Sequence, residues 1–238
     1  MASTSRLAAG AALCGGAAFF AAAFAPLPAL AQIVDANSVR LGMYDVFYHV
    51  KASDINGPFV PAGVNLDTKN LVTPYLAYTR ELTSFLQLEI AAGWPPNSKT
   101  IGKGPATLGS VPYNGQEIAT AKWFAPTVLL NYEFLPPGSV LRPYVGLGVN
   151  YTHFYDRKST AAGDAANGGP TSISLSDSLG PAATVGLSWR FLPDWSLNGS
   201  YSWSKVTSNL SADTSGAIRT SHINFNPQAL VVSVGWWF

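Results

Sequence analysis

The chain has 238 residues, of which 11% are charged and 12% aromatic, with 14 lysines and arginines, 13 aspartates and glutamates, one cysteine and 22 glycines. Near-neutrality argues against electrostatic binding to nucleic acid or to an anionic membrane surface, and a single thiol excludes a disulfide framework. After the first thirty residues no apolar run approaches the roughly 20 residues that a spanning helix needs, so any passage through a membrane falls to strands closed into a barrel.

At the N-terminus Arg6 precedes residues 7–24, made almost wholly of Ala, Gly, Leu and Phe, and these are followed by Pro26, Pro28 and the small-residue triplet Ala29-Leu30-Ala31. This is the pattern of a secretory signal peptide over 1–31, cleaved after Ala31. A retained anchor fits less well, because two prolines break the helix and the A-x-A triplet falls at the expected place. Cys14 and Arg6 leave with the signal, so the remaining chain from Gln32 has 13 basic and 13 acidic residues and no thiol.

Period-2 alternation then predicts eight strands, over 38–50, 71–80, 84–94, 120–134, 141–156, 173–191, 195–208 and 225–238. The connections at 81–83, 135–140 and 192–194 are tight. Those at 52–70, 95–119, 157–171 and 209–224 are long, rich in Gly, Asn, Ser and Pro, and read as extended loops. Short turns at one end and long loops at the other is the outer-membrane barrel arrangement, with turns and termini in the periplasm.

Parity sharpens this reading. Over 195–204, Trp195, Leu197, Gly199, Tyr201 and Trp203 alternate with Ser196, Asn198, Ser200, Ser202 and Ser204. Val145, Leu147, Val149 and Tyr151 alternate likewise with Tyr144, Gly146, Gly148, Asn150 and Thr152, and Ala183, Val185, Leu187 and Trp189 with Ala182, Thr184, Gly186, Ser188 and Arg190. A lipocalin-type barrel would turn its apolar set inward. Here the export signal, the aromatic content and the closing run through Leu230, Val232, Val234, Trp236 and Phe238 set the apolar face toward lipid. Trp195 and Trp203 are about 20 Å apart along the axis of a tilted strand, close to the ~25 Å between aromatic girdles. Trp189, Trp195, Trp236 and Phe238 mark the periplasmic girdle, and Trp94, Tyr151 and Trp203 the outer one. The fold class is therefore all-β, an eight-stranded antiparallel transmembrane β-barrel of the outer membrane over 32–238 with four extracellular loops.

The same parity points Arg40, Glu81, Glu133 and Arg190 inward at strand ends beside the periplasmic turns, and Glu89 inward near mid-barrel. The four form a charged plug that turns apolar cargo sideways, or more simply a solvated ion-pair network satisfying a polar interior. Glu89 stands alone, which requires an arginine partner or a raised pKa. His49, His153 and His222 are widely separated, without a ligand spacing, so no metal is expected. No motif sets a nucleophile beside a base, and no catalytic residue, cofactor or enzymatic role is expected. The segment 163–169 reads as a mobile loop.

Leu141-Arg142-Pro143-Tyr144-Val145-Gly146-Leu147-Gly148-Val149-Asn150-Tyr151-Thr152, the segment Ser174-Leu175-Ser176-Asp177-Ser178-Leu179-Gly180, Asp194-Trp195 with Asn198, and the closing run 232–238 resemble the OmpW family of outer-membrane proteins. The resemblance extends more weakly through Leu88-Glu89-Ile90-Ala91-Ala92 and Ala125-Pro126-Thr127. It implies a narrow, partly apolar lumen associated with passage of small hydrophobic molecules past the lipopolysaccharide layer, which an apolar mouth can bypass. Where lumens of that family are narrowed by a bulky apolar residue on the third strand and an aromatic on the seventh, this chain has Ala91 and Ser202. The constriction then falls to other inward residues, with Tyr44, Tyr75, Phe85 and Trp123 as candidates and Ser200 on the same lining. The expected partners are outer-membrane lipid, small apolar solutes and the barrel-assembly machinery, which would read the C-terminal Phe238; the sequence sets no oligomeric state. Two functions fit: passive uptake of small hydrophobic molecules, or a structural barrel or surface receptor whose long loops bind partners or phage.

Overall fold

A computed structural model of the chain describes residues 36–238, and the signal expected over 1–31 lies outside the described residues. Seventeen strands and one helix follow in order: β1 (Asn37–Tyr48), β2 (Lys51–Ala52), β3 (Asn65–Thr68), β4 (Leu71–Glu81), β5 (Leu86–Gly93), β6 (Asn97–Lys103), β7 (Thr107–Leu108), β8 (Val111–Pro112), β9 (Glu117–Phe124), β10 (Thr127–Glu133), β11 (Leu141–Ser159), α1 (Ala161–Asn167), β12 (Ser172–Leu175), β13 (Ser178–Leu192), β14 (Trp195–Ser204), β15 (Thr207–Thr214), β16 (Ala217–Asn224) and β17 (Pro227–Trp237). Eight of these close the wall in the order β1, β4, β5, β10, β11, β13, β14, β17 and back to β1, every pair antiparallel. The first and last strands seal it. Leu41 lies opposite Val234, and Asn37 and Phe238 exchange backbone hydrogen bonds of 3.1 and 2.9 Å.

Closure satisfies the backbone, and the side-chain period of two then divides the barrel into an oily outside and a polar inside. Leu147 is 73% exposed and Val232 53%, whereas Ser196, Thr79 and Asn131 are wholly enclosed. Such exposure would be a liability in water and is what hydrocarbon requires. Trp189, Trp195, Trp236 and Phe238 are exposed at the turn end, joined there by Tyr132, Phe134 and Phe191; Trp94, Tyr151 and Trp203 are exposed toward the loop end. Both girdles are thus present on the outer face.

The long connections differ from the loops expected. Residues 52–70 contain β3, 95–119 contain β6 and the small β7–β8 pair, 157–171 contain the end of β11 and α1, and 209–224 supply most of the β15–β16 hairpin. The expected strand 120–134 is interrupted between β9 and β10 at Ala125-Pro126, and 173–191 and 195–208 are each interrupted where the wall gives way to the upper strands. These segments were hidden by their polarity. Above the membrane the outer face of a strand is wet, so Asn65 and Asp67 flank the buried Leu66 where a lipid-facing strand would carry apolar residues. The result is a crown of two sheets, β3–β6–β9 continuing onto β11 and β2–β16–β15–β12. Between them the interior becomes apolar, with Leu66, Trp123, Phe154, Val206, Ile223 and Phe225 in one cluster.

The helix in the segment expected to be mobile has its own signals. Thr160 Oγ1 accepts from Gly163 N at 3.1 Å, and Gly168 closes α1 at φ 83°. Gly163 packs so closely on the β9 backbone that an added Cβ would lie 2.0 Å from Ile118 O.

Parity makes a direct prediction. Leu197→Arg, which puts a charge in the apolar band, is expected to impair barrel assembly by ~2 to 4 kcal/mol, while Ser200→Arg on the inner face is tolerated far better. The ratio of heat-modifiable to unfolded species on unboiled gels checks this, and equal tolerance would reverse the assignment of faces.

Candidate functional site

The turn-side half of the lumen is filled by charge. Arg142, at the start of β11, shares the inward parity of Tyr144; its Nη1 donates to Glu81 Oε1 at 2.8 Å, its Nη2 is ion-paired with Glu133, and its Nε and Nη2 reach Leu135 O and Ser84 O, each at 3.2 Å. One layer higher, Arg40 contacts Glu89 Oε2 at 3.4 Å and Gln87 Oε1 at 3.1 Å, with its guanidinium 5.8 Å from the Tyr144 ring centre. Gln87 Nε2 joins the layers by donating to Glu81 at 3.1 Å and Glu133 at 3.3 Å. Glu89 also accepts from Tyr75 Oη and Asn131 Nδ2, both at 2.8 Å.

Beside these, Arg190 lies 4.3 Å from the centre of the Trp237 ring, whose Nε1 donates to Ser196 Oγ at 3.1 Å. Arg40 is thus paired with Glu89, and Arg142 with Glu81 and Glu133, while Arg190 lies against Trp237. A floor so buried, with Arg40 and Glu133 each 1% exposed, holds only because the cations and anions balance and share hydrogen bonds. It is an enclosed plug and not the solvated network expected.

Above the floor, Tyr44 and Tyr75 stack at 6.0 Å between ring centres. A cavity opens over them, lined in part by Ala91, Leu129, Ala182, Ser202 and Val231. It shares Tyr44, Ala125, Ser204 and Pro227 with a second, walled by Val46, Trp123, Phe154, Val206 and Phe225. Thr68, Thr100, Ala121, Leu175 and Phe225 connect that one to a third inside the crown. The three form a column whose upper two cavities are more apolar than the one resting on the floor. Trp123 enters it without a polar penalty because its Nε1 donates to Ser98 Oγ at 2.7 Å. Tyr113, in the crown, keeps its proton well beyond neutral pH, since burial pushes its phenol up to about 12.

Several sequence expectations need correction. Phe85 is 41% exposed and stacks on the outward Tyr132 at 6.3 Å, because it belongs to the turn before β5, where strand parity does not run; Thr83 Oγ1 accepts from the N–H of Phe85 at 3.2 Å and of Leu86 at 3.0 Å. Glu89 is not alone. Arg40 serves the upper layer and not the turn-end cluster, and Arg190 meets an aromatic face in place of a carboxylate. The turn-end cluster is centred instead on Arg142, which sequence reasoning passed over although its parity was readable. Trp123 lines the column above mid-barrel. Tyr44, Tyr75, Ala91 and Ser202 meet around the lowest cavity, and Ser200 lies half-buried on the same inner face.

The wall has a seam between β5 and β10 at the level of that cavity. The β5–β10 ladder stops at Ala91↔Thr127, and pairing resumes at Asn97↔Lys122 between β6 and β9. Residues 92–96 and 123–126 lie between, with Pro95, Pro96 and Pro126, none of which has an N–H to offer a partner. Each side is instead tied to its other neighbour, Trp94 N to Pro74 O at 2.8 Å and Tyr151 N to Pro126 O at 3.0 Å. Ala91, Ala92, Gly93 and Ala125 line the cavity where the seam meets it, while Trp94 of the same segment is exposed on the outer face.

Comparison with known proteins agrees with this architecture: the model of the OmpW family matches residues 37–238. The chain belongs to the OmpW family. It is a protein of the bacterial outer membrane. Outer membrane protein W of Vibrio cholerae is 28% identical over 226 residues, covering 95% of this chain and 98% of that one. The dibenzothiophene metabolism operon protein PahQ of Pseudomonas aeruginosa is 32% identical over 125 residues, half of each chain. Among solved structures, OprG of Pseudomonas aeruginosa shares the fold with a TM-score of 0.77 at 23% identity, over 86% of this chain and 96% of that one.

In this OmpW-family barrel Arg142→Met is expected to cost roughly 3–5 kcal/mol, since it strands Glu81 and Glu133 in a buried site. Adding Glu81→Gln and Glu133→Gln to it restores most of the loss. Urea unfolding in lipid measures both, and an unchanged midpoint for the single variant would show that the plug does not depend on Arg142.

Proposed function

We propose that the protein is a passive conduit, not an enzyme, that takes small hydrophobic molecules from the cell exterior into the outer membrane and releases them sideways through the β5–β10 seam. One observation carries this reading: the apolar column ends on a buried charged floor, while the wall just above that floor lacks backbone pairing. An apolar solute that reaches Tyr44 and Tyr75 meets ions it cannot solvate below and hydrocarbon beyond a seam lined by small residues. Partition favours the second way out. The relative named for dibenzothiophene metabolism supports an apolar aromatic cargo, and family membership supports the same general role.

Uptake in whole cells tests the route. Ala91→Leu with Ser202→Trp fills the lowest cavity, at a height where an eight-stranded barrel has little space beyond its own side chains. Influx of an apolar probe is expected to fall several-fold at normal protein levels, with influx of a small polar probe unchanged. An unchanged apolar rate would refute passage at this level and leave the loops as the functional part, as in a surface receptor.

A further inference from the structure

The crown contains a buried cation without an anion. Arg219 on β16 is 7% exposed and lines the uppermost cavity together with Ile55, Leu66, Ile118, Leu210 and Ile223. Its Nε donates to Pro58 O at 3.1 Å, its Nη1 to Thr214 Oγ1 at 3.3 Å and its Nη2 to Asn167 O at 3.4 Å. All three acceptors are neutral. A guanidinium has five N–H groups, and two of these remain without an acceptor among the described residues.

No carboxylate among the described residues of the crown is ion-paired with Arg219, and Asp177 is held by His153 and Tyr151. Asp54 accepts from Gly63 N at 3.1 Å, Asp164 from Thr171 N at 3.1 Å and Asp213 from Gly216 N at 2.8 Å, while Asp67, Glu117 and Asp156 are paired with lysines on the outer surface. The contrast with the floor is direct, since Arg40 and Arg142, also buried, each hold a carboxylate. Burying an ion in an apolar chamber without its counter-ion is costly, and a guanidinium fork is shaped for two parallel bonds to a carboxylate.

We propose that this cavity binds the carboxylate head of an amphipathic organic acid, with Arg219 as counter-ion and the apolar column beneath it as the site of the tail. The inference rests on the uptake reading above and narrows its cargo from apolar molecules in general to those ending in one carboxylate. The geometry accommodates such a shape, because the Arg219 cavity runs through Thr68, Leu175 and Phe225 into the chamber walled by Val46, Trp123 and Phe154. Head and tail would then lie along the barrel axis, with the head outermost.

Binding of decanoate and of decanol at neutral pH, to the full-length mature protein in zwitterionic nanodiscs with empty nanodiscs as reference, tests this by calorimetry. Wild type is expected to prefer the acid roughly tenfold or more, the scale of a charge-assisted pair of bonds. Arg219→Gln should bring the acid to the level of the alcohol and leave the alcohol unchanged; Arg219→Lys, which keeps the charge but not the fork, should retain a weaker preference. Equal binding of acid and alcohol by wild type would overturn the proposal and leave the uptake reading intact. Equal losses for both probes in Arg219→Gln would overturn it too, showing Arg219 to be only a tie between Pro58, Asn167 and Thr214. Failure of wild type to bind either probe would defeat the uptake reading and this proposal together.

Discussion

Hydrocarbon has no partner to offer an amide, and every other feature of the barrel answers to that constraint. The eight-strand ladder must close on itself, and the alternation of strand side chains then leaves polar residues only one place to go, the interior. A buried polar interior must in turn satisfy itself, which is why Asn131, Gln87 and Ser196 hydrogen-bond inside the lumen while leucines and valines face outward. The seam between β5 and β10 obeys the same rule by another means: proline removes amides that would otherwise need partners.

The two kinds of basic residue are sorted by the same physics. All seven lysines, at 51, 69, 99, 103, 122, 158 and 205, lie toward the loop end, where an ammonium keeps its water. Every strongly buried cation is an arginine. Its planar fork can satisfy several acceptors at once and is less reluctant to lose hydration, so Arg142 can bridge two glutamates and two carbonyls in a space that would leave a lysine short of partners.

Much of the wall was legible in the sequence because a period of two with one lipid face is a strong signal. Parity alone placed Ser196 inward and Leu197 outward, and it placed Glu89 inside. It failed where the chain leaves the ladder, and Phe85 followed the turn outward. The crown was unreadable for a different reason: turn residues are dense there and the outer face is polar, so β6 and β15 carry no apolar stripe to distinguish them from loops. The pairing of charges was also beyond reach, since Glu89 and Arg40 are brought together only by the stagger of neighbouring strands. Arg142 was legible, since it shares the inward parity of Tyr144 at the start of β11; Arg40 and Arg190, which already balanced Glu81 and Glu133 in number, stood in its place.

A barrel stoppered at one end by fixed ions is a blind well and not a pipe. On the proposed route, whatever occupies the space above the Tyr44–Tyr75 stack would equilibrate with the outside medium and with lipid beyond the seam, and the periplasm would have no aqueous say in its concentration. Such a well can hasten exchange between those two phases but cannot bias it. Net flow would be set by how quickly the membrane is emptied from its far side, and the polar barrier of the envelope to ions and nutrients would be left as tight as if the protein were absent.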